Sequence, residues 1–403
     1  MVKDYIRMGI IGVGGRGIFL ANTLASIDTV HLVGVCDLYE DRLFAARDSA
    51  KKIRPEVDVH AYFDYKQMFE ECDLDGVVIA TSWDTHASIA VDAMNAGIAV
   101  GVECGGASSM DECWQLVRTS ERTGVPCMFL ENCCYMREEI SLLKMVRNGV
   151  FGEIVHCEGA YQHDLRDMTA RHVEQRHERF GAYLYKNAEL YPSHAFGPIM
   201  KWLNINRGNR IVSLVSMSTK ALGLNEYNMQ IKGEPMPAAL GDVVTTILKC
   251  AHGETIRLTY DTTLPRPYSR GGRLQGTKGL WMEDNKSIYI EGKSPSHTWE
   301  SFNEYLDNPE YEHEIWTKYR TEGVKQEGHG GCDYLVLKAF TEAVRLGIPM
   351  PLDVYDAALI MAITPLSADS IAMGGRPVAV PDFTDGKWIK REKYPEFEFA
   401  LDW

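Results

Sequence analysis

The chain has 403 residues, of which 45% are hydrophobic and 24% are charged, and its formal net charge is −14 at pH 7. One hydrophobic core usually stops growing at roughly 250–300 residues, so this length indicates two domains. The acidic balance, with no run of Lys and Arg, argues against nucleic acid as a partner. No segment approaches the ~20 consecutive apolar residues of a membrane span, so no membrane partner is expected either.

The first 130 residues alternate short apolar runs with helical stretches. The runs are predicted as buried strands, because they lack the polar alternation of a half-exposed sheet. These strands are 6–11, 31–36, 76–80, 98–103 and 127–130. The predicted helices are 17–27, 40–52, 85–96 and 109–123. Repeated βα units indicate a doubly wound α/β domain with a parallel sheet over residues 1–130.

The pattern changes in the remaining part of the chain, over residues 131–403. A predicted helix near 136–148 precedes longer strands with alternating polarity, which is typical of an antiparallel sheet with one covered face. These strands are 154–163, 211–219, 242–250, 254–262 and 287–291. Two further helices are predicted at 331–346 and 353–371. The polar segment 164–190 is predicted as a long irregular loop with a functional role. We therefore predict an α+β domain with an open antiparallel sheet.

One predicted strand, 211–219, is apolar on both faces. Alternation places Val212 and Leu214 on one face and Ile211, Val215 and Met217 on the other. One of these sets has no predicted helix to cover it, and an uncovered apolar face usually marks an interface. We therefore predict a homodimer or a higher homo-oligomer.

The ten cysteines show no CxxC and no His/Cys zinc spacing. The adjacent Cys133 and Cys134 suit reduced thiols better than a disulfide framework. The first residues carry no apolar signal-peptide core, so we expect a cytoplasmic protein, with a removed leader as the alternative. His86, His163 and His329 are poor candidates for metal ligands, because no HExxH and no i, i+4 histidine pair occurs. No metal site is predicted.

A glycine-rich turn follows the first predicted strand and opens the first helix. In dinucleotide-binding folds the first glycine of such a turn permits a tight bend, the second lets the backbone approach the pyrophosphate, and the third allows close packing of helix on strand. The helix N-terminus then offers N–H donors to the phosphates. Asp37 lies 20 residues after Gly17, where a carboxylate accepts from the ribose hydroxyls and repels a 2′-phosphate. The sequence therefore predicts a Rossmann domain that prefers NAD to NADP, with a glycine-rich turn in an unrelated α/β protein as the alternative. Its predicted cofactor-binding residues are Gly12, Gly14, Gly15, Arg16, Gly17 and Asp37.

This motif, together with Val102-Glu103, resembles the Gfo/Idh/MocA oxidoreductase family. Members of that family pair a Rossmann domain with an open antiparallel sheet. Their Glu-Lys-Pro motif, whose lysine assists hydride transfer, is here Glu103-Cys104-Gly105. Their Asp-x-x-x-His or Asp-x-x-His motif is here Leu190-Tyr191-Pro192-Ser193-His194, without an acid. Both departures weaken the case for an ordinary sugar dehydrogenase.

The departures instead match one branch, because the chain resembles the NAD-dependent α-N-acetylgalactosaminidases of glycoside hydrolase family 109. The segments that carry this resemblance are Leu130-Glu131-Asn132-Cys133-Cys134-Tyr135, Gly159-Ala160-Tyr161-Gln162-His163-Asp164-Leu165-Arg166, Tyr191-Pro192-Ser193-His194, Asn204-Ile205-Asn206-Arg207-Gly208, Tyr311-Glu312-His313 and Gly328-His329-Gly330-Gly331. The segment 164–187 otherwise diverges from the family, which leaves the sugar specificity open.

The resemblance implies functional residues and a reaction. Trp83, His86, Glu103 and Asn132 match further cofactor contacts of the family. The implied substrate contacts are Tyr161, Arg179, Tyr191, His194 and Tyr268. The family reaction oxidises C3 of the sugar with NAD, removes the acidified C2 proton and expels the C1 aglycone by β-elimination. Water then adds at C1 and C3 is reduced again, so NAD is regenerated.

Two Tyr/His pairs suit the proton transfers of such a reaction, because histidine titrates near neutral pH. Tyr191 and His194 are three apart at a predicted helix start, with Pro192 in the first turn. Tyr161 and His163 are two apart on a strand and share a face. All four are predicted as catalytic. The alternative is that Tyr161 and Tyr191 are core aromatics with hydrogen-bonded hydroxyls.

Three other functions remain open from the sequence. A dehydrogenase could release a 3-keto sugar or keto-inositol, and the absent lysine at Cys104 argues against it. A non-catalytic NAD-dependent sensor could share the fold, and the two retained Tyr/His pairs argue against it. A two-carboxylate glycosidase would need Glu103 and Glu131 to flank a sugar, but both lie at strand ends predicted to face the nucleotide.

Overall fold

A computed structural model describes residues 3–321, 329–391 and 393–402, which form two compact units. The first unit comprises 1–136, 324–359 and 394–403, and the second comprises 137–323 and 360–393. The predicted boundary at residue 130 assigns the segments 324–359 and 394–403 to the second domain. The chain contacts instead group them with the N-terminal residues.

The first unit contains the alternating elements expected of a doubly wound fold. In chain order they are β1 (Ile6–Ile11), α1 (Gly15–Ser26), β2 (Val30–Cys36), α2 (Glu40–Ile53), β3 (His60–Tyr62), α3 (Tyr65–Glu71), β4 (Gly76–Ile79), α4 (Trp83–Asn95), β5 (Ala99–Val102), α5 (Met110–Thr123) and β6 (Cys127–Phe129). The sheet order is β3-β2-β1-β4-β5-β6 and every pair is parallel, which confirms the predicted fold. The sequence pattern did not predict β3 and α3, because a three-residue strand is too short to show a period.

The remaining elements follow after a 3₁₀ turn at Asn132–Tyr135. They are α6 (Arg137–Arg147), β7 (Ile154–Gln162), α7 (Arg166–Ala170), α8 (Glu178–Tyr185), α9 (Ser193–Trp202), β8 (Ile211–Ser218), α10 (Gly223–Lys232), β9 (Val243–Cys250), β10 (Thr255–Asp261), β11 (Arg273–Gly276), β12 (Gly279–Met282), β13 (Ser287–Ile290), β14 (Glu300–Ser301), α11 (Phe302–Leu306), α12 (Glu314–Thr321), α13 (Cys332–Leu346), α14 (Val354–Ala372) and β15 (Val378–Ala379). Helix α13 packs against α1 and β1, which explains its place in the first unit.

The second unit is built on one large sheet, with the order β14-β13-β12-β11-β7-β10-β9-β8-β15. The sheet is mostly antiparallel, as predicted, but β7 and β10 pair in parallel. The segment 164–190, predicted as an irregular loop, contains the short helices α7 and α8, so that prediction was wrong. Periodicity over five to eight residues is too brief to separate a short helix from a polar loop.

Helices pack on one face of this sheet, and the opposite face carries exposed side chains among the residues that the structure describes. Helix α9 packs against β7 so closely that a Cβ on Gly159 would lie 2.9 Å from the Cβ of Ala195. Along β10, Ile256 and Leu258 are buried while Arg257 between them is exposed. The alternation shows which side is the core side.

The apolar strand β8 departs from the predicted assignment of its faces. Its register with β9 shifts between Ile211 and Ser213, so Ile211 and Leu214 are both buried despite their odd spacing. Ile211 was therefore wrongly grouped with Val215 and Met217. Met217 is 66% exposed and Ile247, the register partner of Val215, is 45% exposed. Self-association through this uncovered face stays a prediction.

Helix α14 is long and apolar enough to cross a membrane by length and composition, contrary to the expectation from the sequence. Within the protein, 72% of its most apolar window is buried, as in the core helices of globular proteins that pass the same test. All ten cysteines are free and buried.

Candidate active site

The glycine turn between β1 and α1 has the geometry of a phosphate-binding loop. Gly12 has a φ of +84°, and a Cβ there would lie 2.7 Å from the backbone of Ala80. A Cβ on Gly17 would lie 1.8 Å from the carbonyl oxygen of Gly12, so only glycine lets α1 approach the turn. Helix α1 begins at Gly15 after Gly14, without a side-chain cap, which leaves its first N–H groups for an anion. These residues fit a dinucleotide.

Asp37 lies directly after β2, as predicted, and the backbone holds its carboxylate in place. Its two oxygens accept hydrogen bonds from the N–H groups of Val13 at 2.8 Å and Tyr39 at 2.9 Å. The residue is 8% exposed. Because one of these donors belongs to the glycine turn itself, the carboxylate is fixed beside the turn and keeps further lone pairs for hydroxyl groups.

Three predicted cofactor residues meet around an acid that the sequence reading missed. The guanidinium of Arg16 binds both oxygens of Asp333, at 2.8 and 2.7 Å, and also contacts Glu103. The amide of Asn132 donates to Asp333 at 2.6 Å, while its Oδ1 has no partner among the described residues. The charge of Arg16 is therefore engaged by two carboxylates. Asp333 lies two residues after the Gly328–Gly331 segment that carries part of the family resemblance, and this position could have pointed to it.

The place of the absent lysine is filled by other side chains. Cys104 is buried, and its thiol contacts the carboxylate of Glu131 at 3.1 Å. Burial raises the pKa of this thiol well above its usual range, so it stays protonated. Gly105 lies against Trp83, because a Cβ there would lie 2.4 Å from the indole ring. A side chain at position 105 would therefore displace the Trp83 ring.

Trp83 and His86 lie in the first turns of α4, which begins two residues before the predicted helix 85–96. His86 is buried, and one ring nitrogen lies 3.0 Å from the carbonyl oxygen of Thr81. Its Nδ1 has no partner among the residues that the structure describes. Burial lowers the pKa of His86, which keeps the ring neutral.

In the second unit, the predicted substrate residues form one aromatic cluster. The ring of Tyr161 at the end of β7 lies 4.6 Å from the ring of Tyr191 and 5.8 Å from that of His194. The hydroxyl of Tyr191 lies 3.4 Å from Nε2 of His194. Tyr268 contacts Tyr161 and His163, with ring centroids 6.2 and 5.3 Å away. Two Tyr/His pairs from different elements therefore face one another.

Arg179 is the cation of this cluster. Its guanidinium lies 5.9 Å from the ring centre of Tyr191. Burial lowers the pKa of His163, and Arg179 lowers it further. The Nδ1 of His163 has no partner among the described residues. A neutral imidazole with an open nitrogen can accept a proton from a bound molecule.

Two buried tyrosines that were not predicted as site residues pack next to the cluster. Tyr260 is the register partner of Tyr161 on β10 and stacks on it at 6.1 Å. Its hydroxyl makes a short hydrogen bond with that of Tyr183, which also accepts from Thr262 at 3.2 Å. Burial raises the pKa of both tyrosines, so their hydroxyls stay protonated, and the hydrogen-bonded Tyr260 ring packs on Tyr161.

A turn before α9, and not the helix itself, brings Tyr191 and His194 together. Helix α9 begins only at Ser193, so Tyr191 precedes the helix and does not share a helical face with His194. Pro192 is the residue before the helix, and the turn there folds the tyrosine ring back to 4.8 Å from the imidazole. The predicted proximity holds, but its predicted cause was wrong.

A buried acid, Glu189, underlies this turn and was also missed. Its carboxyl group accepts a hydrogen bond from the backbone N–H of Tyr191. Its Oε2 has no partner among the described residues, and burial raises its pKa to about 8. Thr364 and Ser367 of α14 bind its backbone at 2.8 and 2.9 Å. Glu189 therefore positions Tyr191 through the main chain and is protonated at neutral pH.

We expect Glu189→Gln to change how stability depends on pH. The folded pKa, about 8, lies above the ordinary value of 4.5, so between these values the folded state holds the extra proton and stability falls as pH rises. The variant, which cannot ionise, should gain about 3–4 kcal/mol of stability over the parent between pH 5 and pH 8, since one pKa unit is worth about 1.4 kcal/mol and these three pH units lie between the two pKa values. Urea unfolding at both pH values tests this, and parallel pH profiles would contradict it.

The side chain of His329 lies outside the described part of the structure, and so does Gly328. The sequence pattern disfavours this histidine as a metal ligand. The prediction of no metal site stays a prediction.

The fold and the two sets of residues together define a class of protein. The profile described as "Oxidoreductase family, NAD-binding Rossmann fold" matches residues 6–130, which confirms the Gfo/Idh/MocA resemblance. The profile described as "Glycosyl hydrolase 109, C-terminal domain" matches residues 135–390. The chain belongs to glycosyl hydrolase family 109.

Curated relatives agree with this assignment over nearly the whole chain. A glycosyl hydrolase family 109 protein of Stenotrophomonas maltophilia is 43% identical, over 98% of this chain and 92% of the relative. An alpha-N-acetylgalactosaminidase of Tannerella forsythia is 40% identical, over 96% of this chain and 88% of the relative.

Solved structures show the same fold at much lower identity. A levoglucosan dehydrogenase in complex with NADH and levoglucosan is 16% identical, with a TM-score of 0.70 over 94% of this chain and 100% of the other. The myo-inositol 2-dehydrogenase of Lactobacillus plantarum is also 16% identical, with a TM-score of 0.67 and the same coverage. These likenesses concern the fold alone.

Proposed function

We propose that this protein is an NAD-dependent glycosidase that acts on α-N-acetylgalactosaminides or related glycosides by oxidation, elimination, water addition and reduction. One observation carries the proposal: two Tyr/His pairs converge in the second unit, while the lysine of ordinary dehydrogenases is replaced by a buried thiol. The 40% identical alpha-N-acetylgalactosaminidase supports the choice of sugar.

The first unit holds NAD through the glycine turn, the N-terminus of α1 and Asp37. When bound, NAD supplies a reversible oxidation at C3 of the sugar. The residues of the second unit then have two tasks: to orient the ring and to move protons at C2, C3 and the glycosidic oxygen. Arg179 and Tyr268 bind hydroxyl groups. Tyr191 and His194 act as one acid–base pair, and Tyr161 and His163 act as the other.

A dehydrogenase that releases a keto product is the second candidate, and the fold of the inositol dehydrogenase gives it its support. Cys104 counts against it, because a buried, protonated thiol that contacts Glu131 does not replace a lysine ammonium group. A two-carboxylate glycosidase is less well supported, because the carboxylates of Glu103 and Glu131 already bind neighbours within the first unit.

A panel of p-nitrophenyl glycosides, with simultaneous recording of NADH absorbance, separates these functions. The proposal predicts release of p-nitrophenol with catalytic NAD and no growth of the NADH signal. Stoichiometric NADH without p-nitrophenol would support the dehydrogenase. Neither signal on any glycoside would support a sensor. We further propose a cytoplasmic location, which suits the ten free, buried cysteines.

We expect NAD to bind at least tenfold more tightly than NADP, because Asp37 presents a fixed carboxylate beside the turn. Asp37→Ala should weaken the binding of NAD. It should also reduce the difference between the affinities for NAD and NADP, since the repulsion of a 2′-phosphate is lost with the carboxylate. Calorimetric titration of both nucleotides into parent and variant tests this. Equal affinity of the parent for NAD and NADP would show that the assignment of Asp37 is wrong.

A further inference from the structure

A groove of about 490 Å³ lies at the β11–β12–β13 end of the sheet in the second unit. Gln275, Leu280 and Tyr289 line it from three adjacent strands, and they share one face because they are register partners. The loop over residues 291–299, which follows β13, adds Trp299 and His297. The volume lies within the ~300–1,000 Å³ typical of small-molecule sites.

This groove is separate from the tyrosine cluster. Leu274, next to Gln275, points the opposite way, is buried, and pairs with Cys157 on β7. Tyr161 lies four residues after Cys157 on the same strand and therefore on the same face. The groove and the cluster lie on opposite faces of the sheet, so one bound molecule of monosaccharide size cannot occupy both.

The loop holds an exposed tryptophan in a fixed place. Trp299 is 46% exposed, and its indole N–H has no partner among the described residues. Ser294 anchors the loop, because its hydroxyl accepts from the N–H of Ile290 at 2.8 Å and contacts Glu300. His297 has a φ of +60°, a conformation that few non-glycine residues adopt. A large flat ring on an anchored loop offers a stacking surface with little ordering cost.

The charges around the groove favour a neutral ligand. Lys278 and Glu291 are adjacent, since the N–H of Glu291 donates to the carbonyl oxygen of Lys278 at 2.8 Å. Their side chains have no partner within the described part of the chain, and their charges cancel. A phosphate or sulfate would meet the carboxylate, whereas hydroxyl groups can donate to the carboxylate and accept from the ammonium group.

We infer that this groove is a second, non-catalytic binding site for a neutral glycan. Trp299 stacks on the apolar face of one sugar ring, and Gln275, Lys278 and Glu291 hydrogen-bond its hydroxyl groups. The inference extends the proposed function, because a second contact with the same large glycan raises the effective concentration of its chain ends near the enzyme.

The test is direct binding, measured on a surface coated with a desialylated glycoprotein that displays terminal α-linked N-acetylgalactosamine. All variants carry Tyr191→Phe, so that turnover does not consume the ligand. We expect Trp299→Ala to weaken binding about tenfold, and Trp299→Phe, which keeps a stacking ring, to retain most of it. Tyr185→Ala is the matched control, because Tyr185 is an exposed aromatic residue of the same unit outside the groove, 81% exposed.

The outcomes separate this inference from the proposed function. Binding by the Tyr191→Phe variants that depends on Trp299, together with no hydrolysis of any glycoside by the unsubstituted chain, would support the groove and overturn the proposed function. Hydrolysis by the unsubstituted chain, together with equal glycan binding by Tyr191→Phe with and without Trp299→Ala, would overturn the glycan site in the groove and leave the proposed function standing. Light scattering completes the test: a change of oligomeric state in Trp299→Ala would show that the groove contacts a second copy of the chain. Binding of heparin in preference to the neutral glycan would also overturn the inference.

Discussion

Replacing Tyr191 by Phe, or His194 by Ala, is expected to lower the rate of glycoside hydrolysis by about 10²–10⁴-fold, the usual loss when an acid–base group is removed. Tyr191→Phe keeps the ring that packs at 4.6 Å on Tyr161 and removes only the hydroxyl that lies 3.4 Å from His194. The double variant should lose little more than either single variant, because the two groups act as one pair.

Binding of NAD should be unchanged in these variants, because both residues belong to the second unit and the glycine turn belongs to the first. Tyr185→Phe is the matched control, since it removes a hydroxyl from a tyrosine that is 81% exposed. Calorimetry of NAD binding and steady-state kinetics on one p-nitrophenyl glycoside give both readouts. A rate within threefold of the parent for Tyr191→Phe would exclude this tyrosine from the proton transfers.

Gly17→Ala is expected to reduce NAD affinity at least 100-fold. Its Cβ would lie 1.8 Å from the carbonyl oxygen of Gly12, far inside van der Waals contact, so α1 must move away from the turn. The N–H groups that bind the pyrophosphate move with it. Hydrolysis should fall in parallel, since the proposed reaction needs bound NAD in every cycle.

Gly181→Ala is the control for this substitution, because a Cβ at Gly181 in α8 meets nothing within 4 Å. Circular dichroism and thermal unfolding establish that Gly17→Ala is folded before NAD is titrated. A folded Gly17→Ala protein with parental NAD affinity would show that the turn is not the pyrophosphate site.

Much of the fold could be predicted, because long apolar runs and clear turn residues mark its main elements. Among the strands that escaped prediction, β11 and β12 have four residues each, too few for alternation to show. The parallel pairing of β7 with β10 was also beyond the sequence pattern, which gives the faces of a strand but not its neighbours. The bulge in β8 moved Ile211 to the core by a shift of one register position.

The candidate site was predictable where neighbouring residues in sequence are also neighbours in space. Tyr191 with His194 and Tyr161 with His163 are such pairs. The supporting residues come from distant parts of the chain. Asp333 binds Asn132 across 201 positions, and Tyr260 reaches Tyr161 only through the pairing of two strands. Spacing along the chain does not show which distant residues such contacts join.

The central claim is that hydrolysis proceeds through elimination across C1 and C2, and solvent exchange at C2 tests it most directly. In this test the parent protein is incubated with a p-nitrophenyl glycoside in D₂O until conversion is complete. The released sugar is then analysed by proton NMR and mass spectrometry. The account predicts deuterium at C2 of the product, because the proton removed there passes to groups that exchange with solvent. Full conversion with hydrogen retained at C2 would contradict the elimination route, even in a protein that hydrolyses the substrate well.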